Sequence, residues 1–404
     1  MADGLLFIGQ IAPDLTAGED VAAQARSVIS RLALALAERG LVLDDLLRLR
    51  LFVRDLGELP DIETAIGSHT GTERPAMSVV ELPADLLEPG VALTLDAVAA
   101  PNARELRRLR PHSVRFGPWV FLDALTAPEA PRVLTAPEAQ GEIPRARDIL
   151  EESRALFAHV EAQLREQGAR LRDVVKVGGW LTFPMDDYGP LGQTRSALVG
   201  EAGLLPASAA VQVARVGHGG ERLAFEAIAF VPEDRGGDVG GGEDPGECGA
   251  EDRRAGEARP AHEAMSRLAD FYLDARAADG YVFTSGEVPD GRGSLAEQAR
   301  EVYERLGAHL AAHGATPADV RQQTVFVRAG EDGERSDAHA DGAVVTEAAR
   351  AFYGASTTKL PPTTLLAVAD FGFRAGCNVE IELVAATSAR GSAHRGDGSS
   401  SDGR

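Results

Sequence analysis

Residues 299–328 read AREVYERLGAHLAAHGATPADVRQQTVFVR, and this stretch decides the fold because the chain carries it three times. Its counterparts are AQARSVISRLALALAERGLVLDDLLRLRLFVR at 23–54 and ARDILEESRALFAHVEAQLREQGARLRDVVKVGGWLTF at 146–183. In each, apolar residues recur at helical spacing up to a glycine (Gly40, Gly168 or Gly314), the residue that a left-handed helix cap requires. An aspartate follows five residues later, at Asp45, Asp173 and Asp319. Twelve residues after the glycine an aromatic, Phe52, Trp180 or Phe326, lies in an alternating run that predicts a strand. Repetition at fixed spacing outranks any local motif as evidence of architecture.

The agreement extends outward. Short hydrophobic strands precede the helices at LLFIGQI (5–11), WVFLDAL (119–125) and YVFTSGEV (281–288). Downstream, a proline opens a further strand at Pro75, Pro206 and Pro362, and an acid follows 21, 20 and 20 residues later at Asp96, Glu226 and Glu382. Shorter helices fit at Ile62–Thr70, Tyr188–Gly200 and Val344–Tyr353. Each unit therefore reads β-α-β-(α)-β-β, an α+β unit with its helices on one face of a sheet. The limits are 1–104, 112–232 and 262–388. Residues 233–261, acidic and glycine-rich, predict a disordered linker, as 389–404 predict a disordered tail. Asp332–Asp341 reads as an inserted polar loop.

Across 404 residues the net charge of −21 argues against binding to nucleic acid or anionic lipid. Only Lys176 and Lys359 are lysines among 41 basic residues, a bias that fits GC-rich bacterial coding and suggests an actinobacterial source. Two cysteines, Cys248 and Cys377, exclude a disulfide framework and fit a reducing compartment. With no apolar run long enough for a membrane span and no secretory leader read at the start, a cytoplasmic protein is expected. No phosphate loop, nucleophile elbow or metal spacing is present in the pattern, so neither metal nor cofactor is expected.

YVFTSGEVP, HGATPADV, TVFVRA and VEIELVAA of the third copy resemble the Rid/YjgF superfamily of reactive-intermediate (imine/enamine) deaminases, as do FIGQIAPD, LDDLLRLRLFVRDL and RPAMSVVEL of the first. The resemblance implies compact trimers with a central β-barrel and ligand clefts between subunits. Three tandem copies would then form an intramolecular pseudo-trimer, with further association of whole chains left open. It also implies hydrolysis of a 2-imino or enamine acid. An arginine in a Pro-Ala-Arg-Ser strand would clamp the carboxylate, a glutamate in the last strand would handle water, and a Ser-Gly backbone would assist.

The chain departs from that pattern where it matters most. The clamp arginine becomes Met77, Ser208 and Thr364, and neutral side chains cannot replace a bidentate guanidinium. Ser-Gly survives as Ser285-Gly286 but becomes Ile8-Gly9 and Asp123-Ala124 in the other copies. Asp96, Glu226 and Glu382 are the candidate catalytic acids, each weighed against a plain surface carboxylate, and Glu380 shares a strand face with Glu382. Candidate binding residues are Ser285, Gly286, Thr364, Ser208, Met77, Lys359 and Arg222. Arg74 and Lys359 are the loop cations that could replace the lost clamp, against the plainer reading of solvated charge.

Several other residues read as structural. Lys176 sits in an ordinary strand, Cys377 reads as a buried thiol, and Trp119 and Trp180 read as core. His309 and His313 lie outward on one helical face without a third ligand, and His218 lies in a loose turn.

The expectation is acid–base chemistry on a small reactive imine, enamine or enol intermediate of bacterial specialised metabolism, carried out in a cleft between units. That chemistry would be tautomerisation, imine hydrolysis, cyclisation or elimination. The alternatives are a binding or scaffold protein that kept the fold and lost the chemistry, and an enzyme similar to the chorismatases, which also join Rid-like units.

Overall fold

The repeated aspartate turns each long helix into its following strand. Asp45, Asp173 and Asp319 each accept a backbone N–H three residues back, from Val42 (3.0 Å), Arg170 (3.0 Å) and Thr316 (2.9 Å). Each bond closes a 3₁₀ turn after a capping glycine with φ of 74°, 75° or 72° (Gly40, Gly168, Gly314). A side chain there would strain the cap. The computed structural model describes residues 4–14, 18, 20–70, 74–83, 90–128, 146–185, 205–217, 221–232, 273–329, 338–354, 359–371 and 376–387. The expected linker and tail, the helix at Tyr188–Gly200, Cys248 and His218 lie outside the described residues. The described part of the expected loop at Asp332–Asp341 belongs to a helix that begins at Ala338.

In chain order the first repeat holds β1 (Leu6–Ile11), α1 (Val21–Ala37), β2 (Leu46–Val53), α2 (Leu59–Thr70), β3 (Ala76–Glu81), β4 (Leu93–Ala99) and the short α3 (Ala103–Leu106). Next come β5 (Arg108–Arg110), β6 (Ser113–Phe116), β7 (Trp119–Thr126), α4 (Ala146–Glu166), β8 (Val174–Leu181), β9 (Ala207–Gln212), β10 (Arg215–Val216) and β11 (Leu223–Phe230). The third holds β12 (Ala275–Ala278), β13 (Tyr281–Thr284), α5 (Leu295–Ala312), β14 (Val320–Arg328), α6 (Ala338–Tyr353), β15 (Thr363–Val368), β16 (Asp370–Phe371) and β17 (Val379–Ala386).

These strands form three sheets, ordered β1-β4-β2-β3-β10, β16-β9-β8-β11-β7-β6-β5 and β12-β13-β17-β14-β15, and none of them closes on itself. In each the Pro-led strand lies parallel to the strand after the long helix: β3 on β2, β9 on β8, β15 on β14. Parallel neighbours need a crossover, which α2 and α6 supply in the first and third repeats. Two pairings cross between repeats. β10 of the second adds to the edge of β3, and β16 of the third adds to the edge of β9. Each covers backbone groups that an open edge would expose.

One face of each sheet packs on its own helices. Val28, Ile29, Leu32 and Leu36 of α1 lie against Leu49, Leu51, Leu93 and Leu95. Leu156, Phe157, Val160 and Leu164 of α4 lie against Val177, Leu181 and Phe225. Val302, Tyr303, Leu306 and Leu310 of α5 lie against Val325, Val327 and Ile381. Each such side chain contributes about 1.5–3 kcal/mol relative to exposure.

The opposite faces meet one another. One shared cluster holds Phe7, Val98, Phe121, Ile228, Tyr281 and Phe283, and another holds Phe52, Trp180 and Phe326 with Val80, Val211 and Leu366. The three aromatics found by repeat spacing thus touch, with Trp180 between Phe52 (5.9 Å) and Phe326 (6.3 Å). Trp119 packs on Tyr281, Phe283 and Phe230. Among the described residues, no helix is long and apolar enough to cross a membrane.

Candidate functional site

Strand register fixes which residues correspond. Arg50, Gly178 and Thr324 stand opposite Asp96, Glu226 and Glu382 in their sheets. The sequence places these acids in separate seams, but the structure brings them into one interior cluster between the two shared apolar layers. Arg50 grips Asp96 through Nε–Oδ1 (2.8 Å) and Nη2–Oδ2 (2.5 Å), and reaches Glu226 Oε1 of the next repeat at 3.3 Å. Arg48 Nη1 lies 3.9 Å from the same Glu226 oxygen. Lys176 Nζ pairs with Glu382 Oε2 of the third repeat at 2.5 Å and donates to Thr284 O at 2.9 Å. Thr364 donates its hydroxyl to Asp96 Oδ2 at 2.7 Å.

Three cations and three carboxylates thus form one interior network, and Arg48, Arg50, Lys176, Glu226 and Glu382 of it line a cavity of about 30 Å³. Burial alone would raise Glu382, but Lys176 and Arg50 outweigh it and hold the carboxyl below its ordinary range. Burial first, then Arg50, lowers Arg48. Burial opposes the charge of Arg50 too, yet Asp96 and Glu226 raise it. Sequence reasoning missed Arg48 and Arg50 and read Lys176 as an ordinary strand residue. The signal was present in LLRLRLFV, two arginines at strand period in an otherwise apolar run.

The seams between repeats follow a second correspondence. Phe7, Phe121 and Phe283 pair with Val98, Ile228 and Val384, so Gly9, Asp123 and Ser285 occupy one position. The Ser-Gly element of the first repeat is therefore Gly9-Gln10, one residue beyond the expected Ile8-Gly9. On the Pro-led strands, Met77 faces Leu49, Ser208 faces Val177 and Thr363 faces Gln323. The clamp position of the third repeat is Thr363, one residue before the expected Thr364.

With these shifts the three seams match. Met77 N–H donates to Asp123 Oδ1 (2.8 Å), and Ser208 N–H donates to Ser285 Oγ (2.8 Å). Gly9 packs directly on Thr363, whose backbone nitrogen would lie 2.4 Å from any Cβ added at Gly9. In the seam of the second and third repeats, Gly286 N–H also donates to Ser208 O at 2.9 Å, and Ser285 Oγ donates to Leu273 O at 2.5 Å. Gly286 lies so close to Glu380 that an added Cβ would sit 1.8 Å from Oε1. Glu380 is only 3% exposed. Burial, reinforced by Glu382 and only partly offset by Lys176, pushes its carboxyl well above the ordinary range. Glu380, not Glu382, is the acid beside Ser285-Gly286.

The other candidates lie apart. Arg222 is tied to Glu152 at 2.5 Å and Arg74 to Glu63 at 3.1 Å, while Lys359 is exposed. His309 Nε2 meets Glu287 at 3.1 Å, whereas His313 caps the end of α5. Among the described residues no group of His, Cys, Asp and Glu could hold a metal ion. Cys377 is buried, its thiol donating to Pro289 O at 3.2 Å.

The family model described as Endoribonuclease L-PSP matches residues 2–101 and 263–387, more than half of the chain. The chain belongs to this family, the Rid/YjgF family. Its matched segments are the first and third repeats; the second lies outside them. Among solved structures, the chain is similar to a putative endoribonuclease from Thermotoga maritima, with 26% identity over 29% of this chain and 87% of that one (TM-score 0.24). It is also similar to TdcF from E. coli, solved with bound serine, with 25% identity over 29% and 88% (TM-score 0.25). A chorismatase aligns over 85% of this chain and 93% of its own at 16% identity (TM-score 0.47). No curated protein matches the chain. As a Rid/YjgF protein it is a mixed α+β chain with several sheets and a small-molecule function of the Rid kind.

Proposed function

We propose that repeats 1–104, 112–232 and 262–388 form a pseudo-trimer around a common barrel-like interior, and that the seam of the second and third repeats carries acid–base chemistry on a small imine, enamine or enol. The ring is supported by the three matched seams, which run first to second, second to third and third to first. In this reading Asp96, Glu226 and Glu382 are framework charges and Glu380 is the working group.

The observation that carries the proposal is the buried Glu380 carboxyl lying against Gly286, beside Ser208 and Ser285. A desolvated acid that keeps its proton near neutrality can donate it to a substrate nitrogen or oxygen. For an imine, Glu380 protonates the nitrogen as water adds to the C=N carbon, ammonia leaves as the carbonyl forms, and the proton shed by the added water's oxygen returns to the Glu380 carboxylate. The place of such a reaction in bacterial specialised metabolism belongs to the same proposal.

Glu380→Gln tests this reading. Ammonia release from a 2-imino acid, generated in place by an amino-acid oxidase, should fall at least tenfold while urea unfolding changes little. Undiminished release in that variant refutes the assignment.

A scaffold reading has its own support. Met77, Ser208 and Thr363 are all neutral, Gly9 closes one seam on backbone, and Asp123 fills another. Under it, wild-type protein releases no ammonia above the uncatalysed rate.

A further inference from the structure

The central cavity, distinct from the seams, holds an uneven set of polar atoms. Arg48 Nε, Gln322 Nε2 and Glu226 Oε2 are all buried without a hydrogen-bond partner, and all three residues line the same space of about 30 Å³. Arg48 is 6% exposed, Gln322 3% and Glu226 3%. Two of these atoms are donors and one is an acceptor; Glu382 Oε2 of the same lining also has no hydrogen-bond partner and is met by the Lys176 ammonium at 2.5 Å. Leaving each unmet is costly in a low-dielectric interior, most of all for the charged groups. The Arg48 Nη1–Glu226 Oε1 separation of 3.9 Å is too long for a direct hydrogen bond, so this pair does not satisfy the two side chains by itself.

Charge decides what can sit there. Arg48, Arg50 and Lys176 balance Asp96, Glu226 and Glu382, so an ion of either sign would leave net charge in a low-dielectric interior. The ligand must be neutral and must both accept and donate. Size is equally restrictive, since one water needs about 10–15 Å³ measured in this way, which leaves room for two or three at most. Ile228, Phe283 and Val384 line the same space and offer nothing polar in their side chains to a larger group.

We propose that this cavity is a built hydration site. Its permanent waters, two or three at most, accept from Arg48 Nε and Gln322 Nε2 and donate to Glu226 Oε2, carrying the attraction between repeats across the gap. Two measurements on the full chain test it. A high-resolution crystal structure from crystals soaked in bromide should show density within hydrogen-bond distance of those three atoms, with no anomalous signal. An empty cavity or a bromide peak overturns the proposal. In solution, magnetic relaxation dispersion should detect long-lived water that falls by the share of at least one molecule in Gln322→Met, which removes one of its anchoring donors at nearly constant side-chain volume. An unchanged amplitude in a folded variant also overturns it. If that variant does not fold, the wild-type crystal decides alone.

Discussion

Replacing Lys176 by methionine tests the account of the interior. The change removes the ammonium 2.5 Å from Glu382 Oε2 while keeping most of the apolar stem. Glu382 then retains only Arg50 and the Thr324 hydroxyl against its burial. Stripping one partner from a buried ion pair costs about 3–5 kcal/mol, a large share of the ~5–15 kcal/mol that holds a domain together. The dependence on pH follows from the direction of the shift. In the native chain Glu382 lies below its ordinary range, so its contribution is present above the unfolded pKa and lost as pH falls through the folded one. Without Lys176 burial dominates and raises the carboxyl, so the deficit is smallest in acid and grows as pH rises. Urea unfolding at about pH 5 and about pH 8 reads both effects. Adding Glu382→Gln should recover most of the loss, because a neutral amide replaces the stranded charge. A deficit under about 1 kcal/mol at both pH values, the size of an exposed pair, refutes the reasoning.

Gly286→Ala would place a Cβ 1.8 Å from Glu380 Oε1. The carboxyl must move, costing about 1–3 kcal/mol in urea unfolding and lowering any ammonia release at that seam. His309 is raised from its ordinary value chiefly by its hydrogen bond to Glu287, with burial and Arg305 opposing and Asp274 assisting. Its contribution to stability is therefore full below the unfolded pKa and lost as pH rises through the folded one. His309→Gln should flatten stability across that window, and an unchanged pH profile of unfolding would remove His309 from the account.

The elements were largely legible in the sequence, and the direction of the site's side chains was not. Gly40, Gly168 and Gly314 with their aspartates mark helix end and strand start by local chemistry, so spacing alone located α1, α4 and α5 with the strands that follow. The acids at Asp96, Glu226 and Glu382 were found by the same spacing, but whether a strand face looks into a seam or toward an interior depends on what the other repeats present. The Pro361-Pro362 doublet allowed two alignments one residue apart, and only the pairing of Thr363 with Gln323 chooses between them. A one-residue shift turns a side chain to the opposite face, so Thr364 bonds Asp96 while Thr363 holds the seam position. β10 and β16 are two residues long and too short to carry any periodic signal.

The interior charges give a physical reason for joining the repeats covalently. On the proposed ring, three copies of the first repeat would bury Arg48, Arg50 and Asp96 three times, leaving excess positive charge. Three copies of the third would bury Glu382 three times with no cation, since Gln322 and Thr324 stand where the first repeat has its arginines. Three copies of the second would balance Lys176 against Glu226, so the first and third repeats are the ones that need unlike neighbours, and the mixed set supplies them, with Arg50 reaching Glu226 and Lys176 reaching Glu382 across repeat boundaries. Like charges at such range cost several kcal/mol, so for the first and third repeats the interior disfavours identical neighbours as well as favouring the right ones. Once order is fixed in this way, each seam always joins the same two repeats. Gly9, Asp123 and Ser285 are then free to differ, and one seam can hold a buried acid while the other two are closed by backbone contact and by a carboxylate. A symmetric trimer has no such freedom, because any change in one seam is made in all three.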